Sequence, residues 1–139
     1  MAKYIVTNVS VVYNTVDLSD HVESAEITME HETVDITSMG ASARQWANGL
    51  RDDTITLNFF QDFASAKVHA TISPLLGVDA GAVMVVKPVA TAVSSTNPAF
   101  TATVICPSYT PLSGTVGDSS QTSIEFKCAA GSSIVVSTT

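Results

Sequence analysis

Charged residues are scarce in this sequence, and it contains no long apolar segment. Only 14% of its 139 residues are charged, against roughly 25% in an average soluble domain. The longest unbroken apolar run, at residues 82–86, is far shorter than the ~20 residues that span a bilayer, so we expect no membrane association. The N-terminus becomes polar too early for the core of a signal peptide, which favours folding in the cytosol. The low charge suggests that partners cover much of the surface.

Basic residues and cysteines are also few. Six lysines and arginines stand against 13 acidic residues, for a net charge of −7 at pH 7. This balance argues against a general phosphate-binding surface, which needs a basic patch. Cys106 and Cys128 are predicted to be reduced thiols of the core, as is usual for a protein that folds in the cytosol.

The patterns that carry catalytic or cofactor chemistry are missing or incomplete. There is no Walker A or GxGxxG pattern. Residues 31–35 resemble a zinc-protease motif, but their β-branched composition favours a strand, whereas that motif works on a helix. Asp17, Asp20, His21 and Glu23 could offer oxygen ligands to a cation, but the glycine-turned loop of an EF-hand is missing, so a solvated acidic loop is the better interpretation. We therefore expect no enzyme, with no catalytic residues, no cofactor and no metal.

What the sequence does contain is a large share of β-branched residues. Valine, isoleucine and threonine number 18, 8 and 17, and these residue types favour strands. Short β-rich or alternating segments recur along the chain. They predict strands at residues 3–6, 9–13, 25–30, 34–36, 54–60, 82–89, 100–107, 122–126 and 134–136.

One short helix is predicted among these strands. Apolar residues recur at helical spacing between residues 68 and 76, with Asp62 or Ser65 as the N-cap and Gly77 as the end. Pro74 disfavours helical geometry at the residue before it, so we expect a kink or an early end.

Residues 38–53 are predicted to form a long connection. A capping-box pattern at residues 42–45 and the pair Asn48-Gly49 predict a single helical turn around Trp46 inside it. Many short strands, one flanking helix and this long loop together predict a mainly β chain. We expect one domain over residues 1–139, with a β-sandwich or barrel-like architecture.

The negative charge is concentrated in one segment. Between Tyr4 and Ala43 there is no lysine or arginine, and there are seven acidic residues: Asp17, Asp20, Glu23, Glu26, Glu30, Glu32 and Asp35. Glu26, Thr28 and Glu30 alternate with apolar residues, which predicts one acidic and one apolar strand face. The alternation changes parity after His31, so a bulge or bend is expected at residues 31–33.

Six short motifs follow one another between residues 16 and 118. They are VDLSDHV at 16–22, ETVDIT at 32–37, RQWANGL at 44–50, NFFQDF at 58–63, STNP at 95–98 and YTPLSGTVGD at 109–118. In this order they resemble the major tail (tail tube) proteins of long-tailed bacteriophages. The resemblance covers most of residues 16–127, and it departs from the family at Met39, where a larger aromatic residue is expected.

The resemblance implies a tail-tube fold, a β-sandwich with a flanking helix. It also implies a structural virion protein that forms hexameric rings stacked into a hollow tube, through which DNA passes without sequence-specific contacts during ejection. Sheets of neighbouring subunits would join around the lumen, and the long loop and the termini would bridge subunits and rings. Tape measure, tail terminator and distal tail proteins would be partners in a virion tail assembled in the host cytoplasm. The alternative is a phage decoration or host- or carbohydrate-binding β-sandwich module.

Within that function, the long connection is predicted to be a subunit interface. Trp46 would be the apolar anchor, with Leu50 beside it, and Arg44 or Arg51 would pair with acidic residues of a neighbour. The alternative is that Trp46 folds back onto its own core.

The acidic strand is predicted to face the lumen through Glu23, Glu26 and Glu30. A basic wall would hold phosphates by counterion release, whereas a negative wall repels the DNA backbone and lets it slide. The alternative is that these carboxylates lie on the outer wall of the tube.

Overall fold

The computed structural model describes residues 3–139, and strands dominate them. The mainly β prediction is confirmed. The ten strands are β1 (Ser10–Tyr13), β2 (Val16–Asp17), β3 (Val22–Thr28), β4 (His31–Asp35), β5 (Trp46–Arg51), β6 (Thr54–Phe60), β7 (Ala82–Lys87), β8 (Ala99–Ile105), β9 (Gln121–Cys128) and β10 (Val135–Ser137). The single α-helix of the described residues, α1, spans Val68–Ile72, and 3-10 turns cover Ser19–His21 and Ser73–Leu75.

Eight of the strands form one sheet in the order β2-β1-β7-β8-β9-β6-β3, with β10 paired to β8. Tyr13 on β1 and Phe126 on β9 contact each other edge to face, with ring centroids 5.1 Å apart, although two strands separate them in the sheet order. Neighbouring strands are about 4.8 Å apart, so a flat sheet could not bring these rings together. The sheet therefore curls over, and its two halves enclose one core.

The core takes every second residue of the central strands. Ile55, Leu57 and Phe59 on β6 are fully buried, as are Ile124 and Phe126 on β9. Strand β6 has the bounds that alternation predicts, residues 54–60. Its register pairs it with β3 on one side and β9 on the other, and this places the apolar residues of all three strands on the inner face.

The helix is shorter than its apolar pattern. It ends at Ile72 and passes into a 3-10 turn that contains Pro74, so the predicted early end is confirmed. The predicted N-cap at Asp62 or Ser65 is wrong, because the N-cap is Lys67. Ala66 has a left-handed backbone, φ 58°, and this turn delays the start of the helix by two residues or more.

Two further segments differ from their predictions. Residues 3–6 are irregular and exposed rather than a strand, because strand propensity is expressed only against a neighbouring strand. The helical turn predicted around Trp46 is also wrong, since β5 begins there and pairs with β4 as an antiparallel hairpin. The predicted connection over residues 38–53 is therefore shorter, because residues 46–51 belong to a strand. The predicted irregularity near residue 31 is confirmed by a register shift between His31 and Thr33.

Candidate assembly surfaces

The β4–β5 hairpin is highly exposed. It forms its own two-stranded sheet, and within residues 3–139 neither of its strands pairs with the eight-stranded sheet. All five residues of β4 are exposed. We call residues 30–52 the arm and the eight-stranded sheet with its helix the body. An isolated two-stranded hairpin is marginally stable in water, so the arm is suited to packing against something else.

Large apolar side chains of the arm face solvent. The exposed fractions are Val34 42%, Ile36 55%, Met39 102%, Trp46 60% and Leu50 79%. Between the pairs Thr33–Asn48 and His31–Arg51, β5 has one residue more than β4, so the alternation of side chains is interrupted there and does not place Leu50 on the face of Trp46. At 60% exposure, Trp46 lies mostly in solvent. Trp46 therefore does not fold back onto its own core. Several large apolar side chains exposed on one hairpin are typical of a protein–protein contact.

Both arginines of the predicted interface have acidic partners in their own chain. Arg44 Nη1 donates to Asp35 Oδ2 at 2.7 Å, and Arg51 Nη2 donates to Asp53 Oδ2 at 2.6 Å. Hydrogen bonds from Thr37, with a smaller contribution from Arg44, lower the pKa of the Asp35 carboxyl. The pairing of either arginine with a neighbouring subunit stays a prediction.

The outward face of β3, β6 and β9 carries polar side chains, and we call it the polar sheet face. The strand register aligns three rows across these strands: Ser24–Asn58–Ser123, Glu26–Thr56–Glu125 and Thr28–Thr54–Lys127. Glu23 joins this face by accepting a hydrogen bond of 2.8 Å from Asn58 Nδ2. Sequence reasoning missed Glu125. Alternation along β9 indicates that Glu125 points outward, but its place in the row of Glu26, with Thr56 between them, depends on a register that spans three strands.

Glu30 lies apart from the other two predicted lumen residues. Strand β3 ends at Thr28, because the change of parity takes the chain off the sheet and into the arm. The prediction that Glu30 shares the strand face of Glu26 is therefore wrong. Glu30 is exposed at the base of the arm, where it lines an open depression of about 390 Å³ with Leu50 and Arg51.

A groove runs beside the free edge of the sheet. Strand β3 is the last strand of the sheet on its side among the described residues. The groove has a volume of about 270 Å³. Its lining comes from β3 and Met29 just after it, from the N-terminal segment and from the facing half of the sheet, including Tyr4, Val6, Ile27, Val86 and Phe100. Met29 is 46% exposed there. The edge of β3 thus offers both backbone hydrogen-bonding groups and an apolar surface.

Two of the residues considered for a cation site, Asp20 and His21, bond each other, while Asp17 bonds Ser19 and Glu23 bonds Asn58. His21 Nδ1 lies 2.7 Å from Asp20 Oδ1, and its Nε2 lies 2.8 Å from Asp62 Oδ2. Partial burial lowers the pKa of His21, but its hydrogen bonds to Asp62 and Asp20 outweigh that effect, and the pKa lies above 6.5. The His21 imidazole ties the turn after β2 to the segment before α1. Among residues 3–139 there is no group of three or more side chains suited to a metal ion.

The two thiols lack the features of catalytic cysteines. Within the described residues both are free, Cys106 buried and Cys128 half-buried. Burial raises the pKa of each thiol, so the nucleophilic thiolate is disfavoured. Residues 3–139 also contain no helix that combines the length and apolarity needed to cross a membrane.

The sequence matches no known family model and no curated protein. The fold does match solved structures. A chain of the native gene transfer agent virion superposes with a TM-score of 0.71 at 13% identity, over 92% of this chain and 95% of that chain. The SPP1 tail tube gives 0.69 at 10% identity, over 99% of this chain and 80% of that one. The chain has the tail-tube fold.

A third match comes from an extracellular contractile injection system. Its sheath–tube complex in the extended state gives a TM-score of 0.68 at 10% identity, over 99% of this chain and 93% of that one. The predicted fold class, a tail-tube fold with one short flanking helix, is confirmed. In this tail-tube fold the arm and the free edge of β3 both lack a strand partner in the body within residues 3–139, and the two-residue strand β2 forms the opposite edge of the sheet.

Proposed function

We propose that the protein is a structural subunit of a phage-type tail tube, with residues 1–139 acting as a single tail tube domain. It would assemble into rings, hexameric by the family resemblance, and the rings would stack into a hollow conduit for DNA ejection. The observation that carries this proposal is the exposed apolar arm on a body that has the tail-tube fold.

The arm supplies the kind of contact from which an open-ended tube is built. It is a different surface from the body, so arm-to-body contact between copies is heterologous, and heterologous contacts that do not close extend into filaments. The free edge of β3 supplies a second contact, because an edge strand that is hazardous in a monomer is useful where a neighbour continues the sheet. These two surfaces support rings joined edge to edge and bridged by arms.

The polar sheet face is the surface we assign to the lumen. Glu23 and Glu26 lie there with Glu125, and Lys127 is at its end, where it pairs with Glu125 at 3.3 Å. A face dominated by carboxylates repels phosphates and leaves a hydrated gap, and this repulsion acts over the ~8–10 Å screening length of physiological salt. If Glu30 also faces the lumen, it does so from the base of the arm.

The proposal gives the protein no enzymatic role and no cofactor. Its partners would be further copies of itself together with tape measure, tail terminator and distal tail proteins, and DNA would pass through without stable contacts. It would be assembled in the host cytoplasm and would reside in the virion tail. A carbohydrate-binding module is less well supported, because Trp46 is the single aromatic residue of the arm.

Microscopy of the purified protein tests the proposal. Negative-stain images and sedimentation velocity should reveal rings or tubes, either spontaneously or after addition of tail initiator proteins. A chain that stays monomeric at high concentration under both conditions would refute the tube function. Binding to a glycan panel by such a monomer would favour the adhesion alternative.

A further inference from the structure

A single buried carboxylate lies where the arm joins the body. The side chain of Asp53, between β5 and β6, is 0% exposed. Its Oδ2 accepts hydrogen bonds from Arg51 Nη2 at 2.6 Å and from the backbone N–H of Ile134 at 2.9 Å. Its Oδ1 accepts from the backbone N–H of Glu30 at 3.2 Å and from Arg51 Nε at 3.3 Å. One side chain therefore bonds three separate segments of the chain.

These three segments are the two ends of the arm and one part of the body. Glu30 begins the arm and Arg51 lies near its end, while Ile134 is 2% exposed and packs in the core just before β10. The two ends of the arm are joined to each other by a hydrogen bond of 2.9 Å from the Asp52 N–H to the Glu30 carbonyl. That bond closes the hairpin at its base but does not fix the angle between the arm and the body. Asp53 connects the closed base to the core.

Because its carboxylate is buried, Asp53 also restricts the orientation of the arm. A carboxylate out of contact with water must keep its hydrogen-bond donors, and removing one of them is strongly unfavourable. A swing of the arm would pull Arg51 or the Glu30 N–H away from Asp53, because both move with the arm while Ile134 stays with the core. One arm angle is therefore favoured over the others.

We propose that Asp53 is the positioning residue that sets the angle of the arm relative to the body. Its consequence for assembly rests on the proposed function. In a heterologous assembly the geometry of one contact fixes the rotation and rise from copy to copy, so a fixed arm angle gives a uniform tube. The arm angle itself is a property of the single chain and can be measured without assembly.

Trp46 makes this measurable, since it is the single tryptophan of the chain and lies on the arm. Time-resolved fluorescence anisotropy of Trp46, at protein concentrations below assembly, separates tumbling of the whole molecule from local motion of the arm. Asp53→Asn should lower the amplitude of the slow anisotropy decay, which reports whole-molecule tumbling, and raise that of the fast decay, which reports motion of the arm. The reason is that the amide has one acceptor oxygen and turns an NH₂ group toward donors. Asp52→Asn is the matched control, since the Asp52 side chain is 64% exposed.

A second variant keeps the test decisive if Asp53→Asn fails to fold. Arg51→Gln removes the guanidinium, together with its bond of 3.4 Å to the Ile134 carbonyl, and leaves the carboxylate its two backbone donors. Far-UV circular dichroism and protection of the buried Cys106 from thiol reagents report whether the body is folded. Added mobility in a folded Asp53 or Arg51 variant, with Asp52→Asn unchanged, supports the proposal.

Two results would overturn it. One is a set of folded variants whose Trp46 anisotropy matches that of the unaltered protein. The other is equal loosening by Asp52→Asn, which would show that any change at the base of the arm acts alike. Because the readout comes from the single chain, failure of the unaltered protein to form tubes would refute the tube function and leave this result standing.

Discussion

Replacement of Trp46 by alanine should separate assembly from folding. Trp46 is 60% exposed, and tryptophan has roughly 250 Å² of accessible surface, so about 150 Å² is free to be buried by a neighbour. At ~25 cal/mol per Å² complete burial of that area is worth about 4 kcal/mol per contact. Partial burial at a hot spot is worth about 2 kcal/mol. At 1.4 kcal/mol for each factor of ten, the critical concentration for assembly should rise roughly 30- to 700-fold.

The same substitution should leave the single chain almost unchanged. An exposed side chain contributes little to folding, so the free energy of unfolding should change by less than about 0.5 kcal/mol. Phe126→Ala provides the opposite control, because Phe126 is fully buried and a cavity of that size costs about 3–5 kcal/mol. The measurements are urea unfolding of the dilute protein and pelleting of polymer over a concentration series. Polymer that forms normally from a Trp46→Ala protein with a much weakened fold would refute the interface role.

Three further predictions concern the lumen, the thiols and pH. Replacing Glu23 and Glu26 with lysine should leave tubes intact but slow DNA ejection from reconstituted tails. The effect should be stronger at low salt, where screening is weaker. Normal ejection kinetics would place these residues outside the lumen. A thiol reagent without reductant should modify two sites per chain after denaturation, with Cys128 reacting before the buried Cys106 in the native protein, and an absence of labelling would indicate a disulfide. Because folding raises the pKa of His21 above its unfolded value of 6.5, its ion pairs stabilise the fold fully below pH 6.5 and lose that effect as pH rises through the raised value. Urea unfolding should therefore show lower stability at pH 8 than at pH 6, and His21→Gln should remove most of that difference.

Alternation along the chain predicts the body better than the arm, for a physical reason. Strand β6 has a partner on each side and one buried face, so period-two hydrophobicity fixes both its existence and its bounds. Strand β5 buries neither face. Its sequence contains Asn48-Gly49, which also suits a helix end, and the strand forms because β4 pairs with it. Gly49 suits the hairpin because the two strands approach closely there: an added Cβ would be 3.0 Å from the side chain of Val34.

The acidic surface was predictable along one strand but not across strands. The alternation of Glu26 with apolar neighbours places it on the outward face of β3, as the register confirms. Extending the same alternation to Glu30 fails, because the strand ends before it. Glu125 enters the same row from β9, nearly a hundred residues away, and single-sequence periodicity contains no information about which strands become neighbours. Periodicity thus predicts which face of a strand a residue occupies, whereas the order of the strands in the sheet determines which residues are its neighbours.

The two arginines of the arm differ in whether they can bind a neighbour. Arg44 is 73% exposed, and its partner Asp35 is 37% exposed. Exposed ion pairs contribute little to stability, so Arg44 can exchange Asp35 for an acidic residue of another subunit at small cost. Arg51 cannot do the same, because its release would leave the buried carboxylate of Asp53 without a charged partner. Charge across an interface governs specificity and register more than affinity. We therefore expect the exposed side chains of Trp46 and Leu50 to hold the arm on its neighbour, Arg44 to select the register, and Arg51 to remain with its own chain.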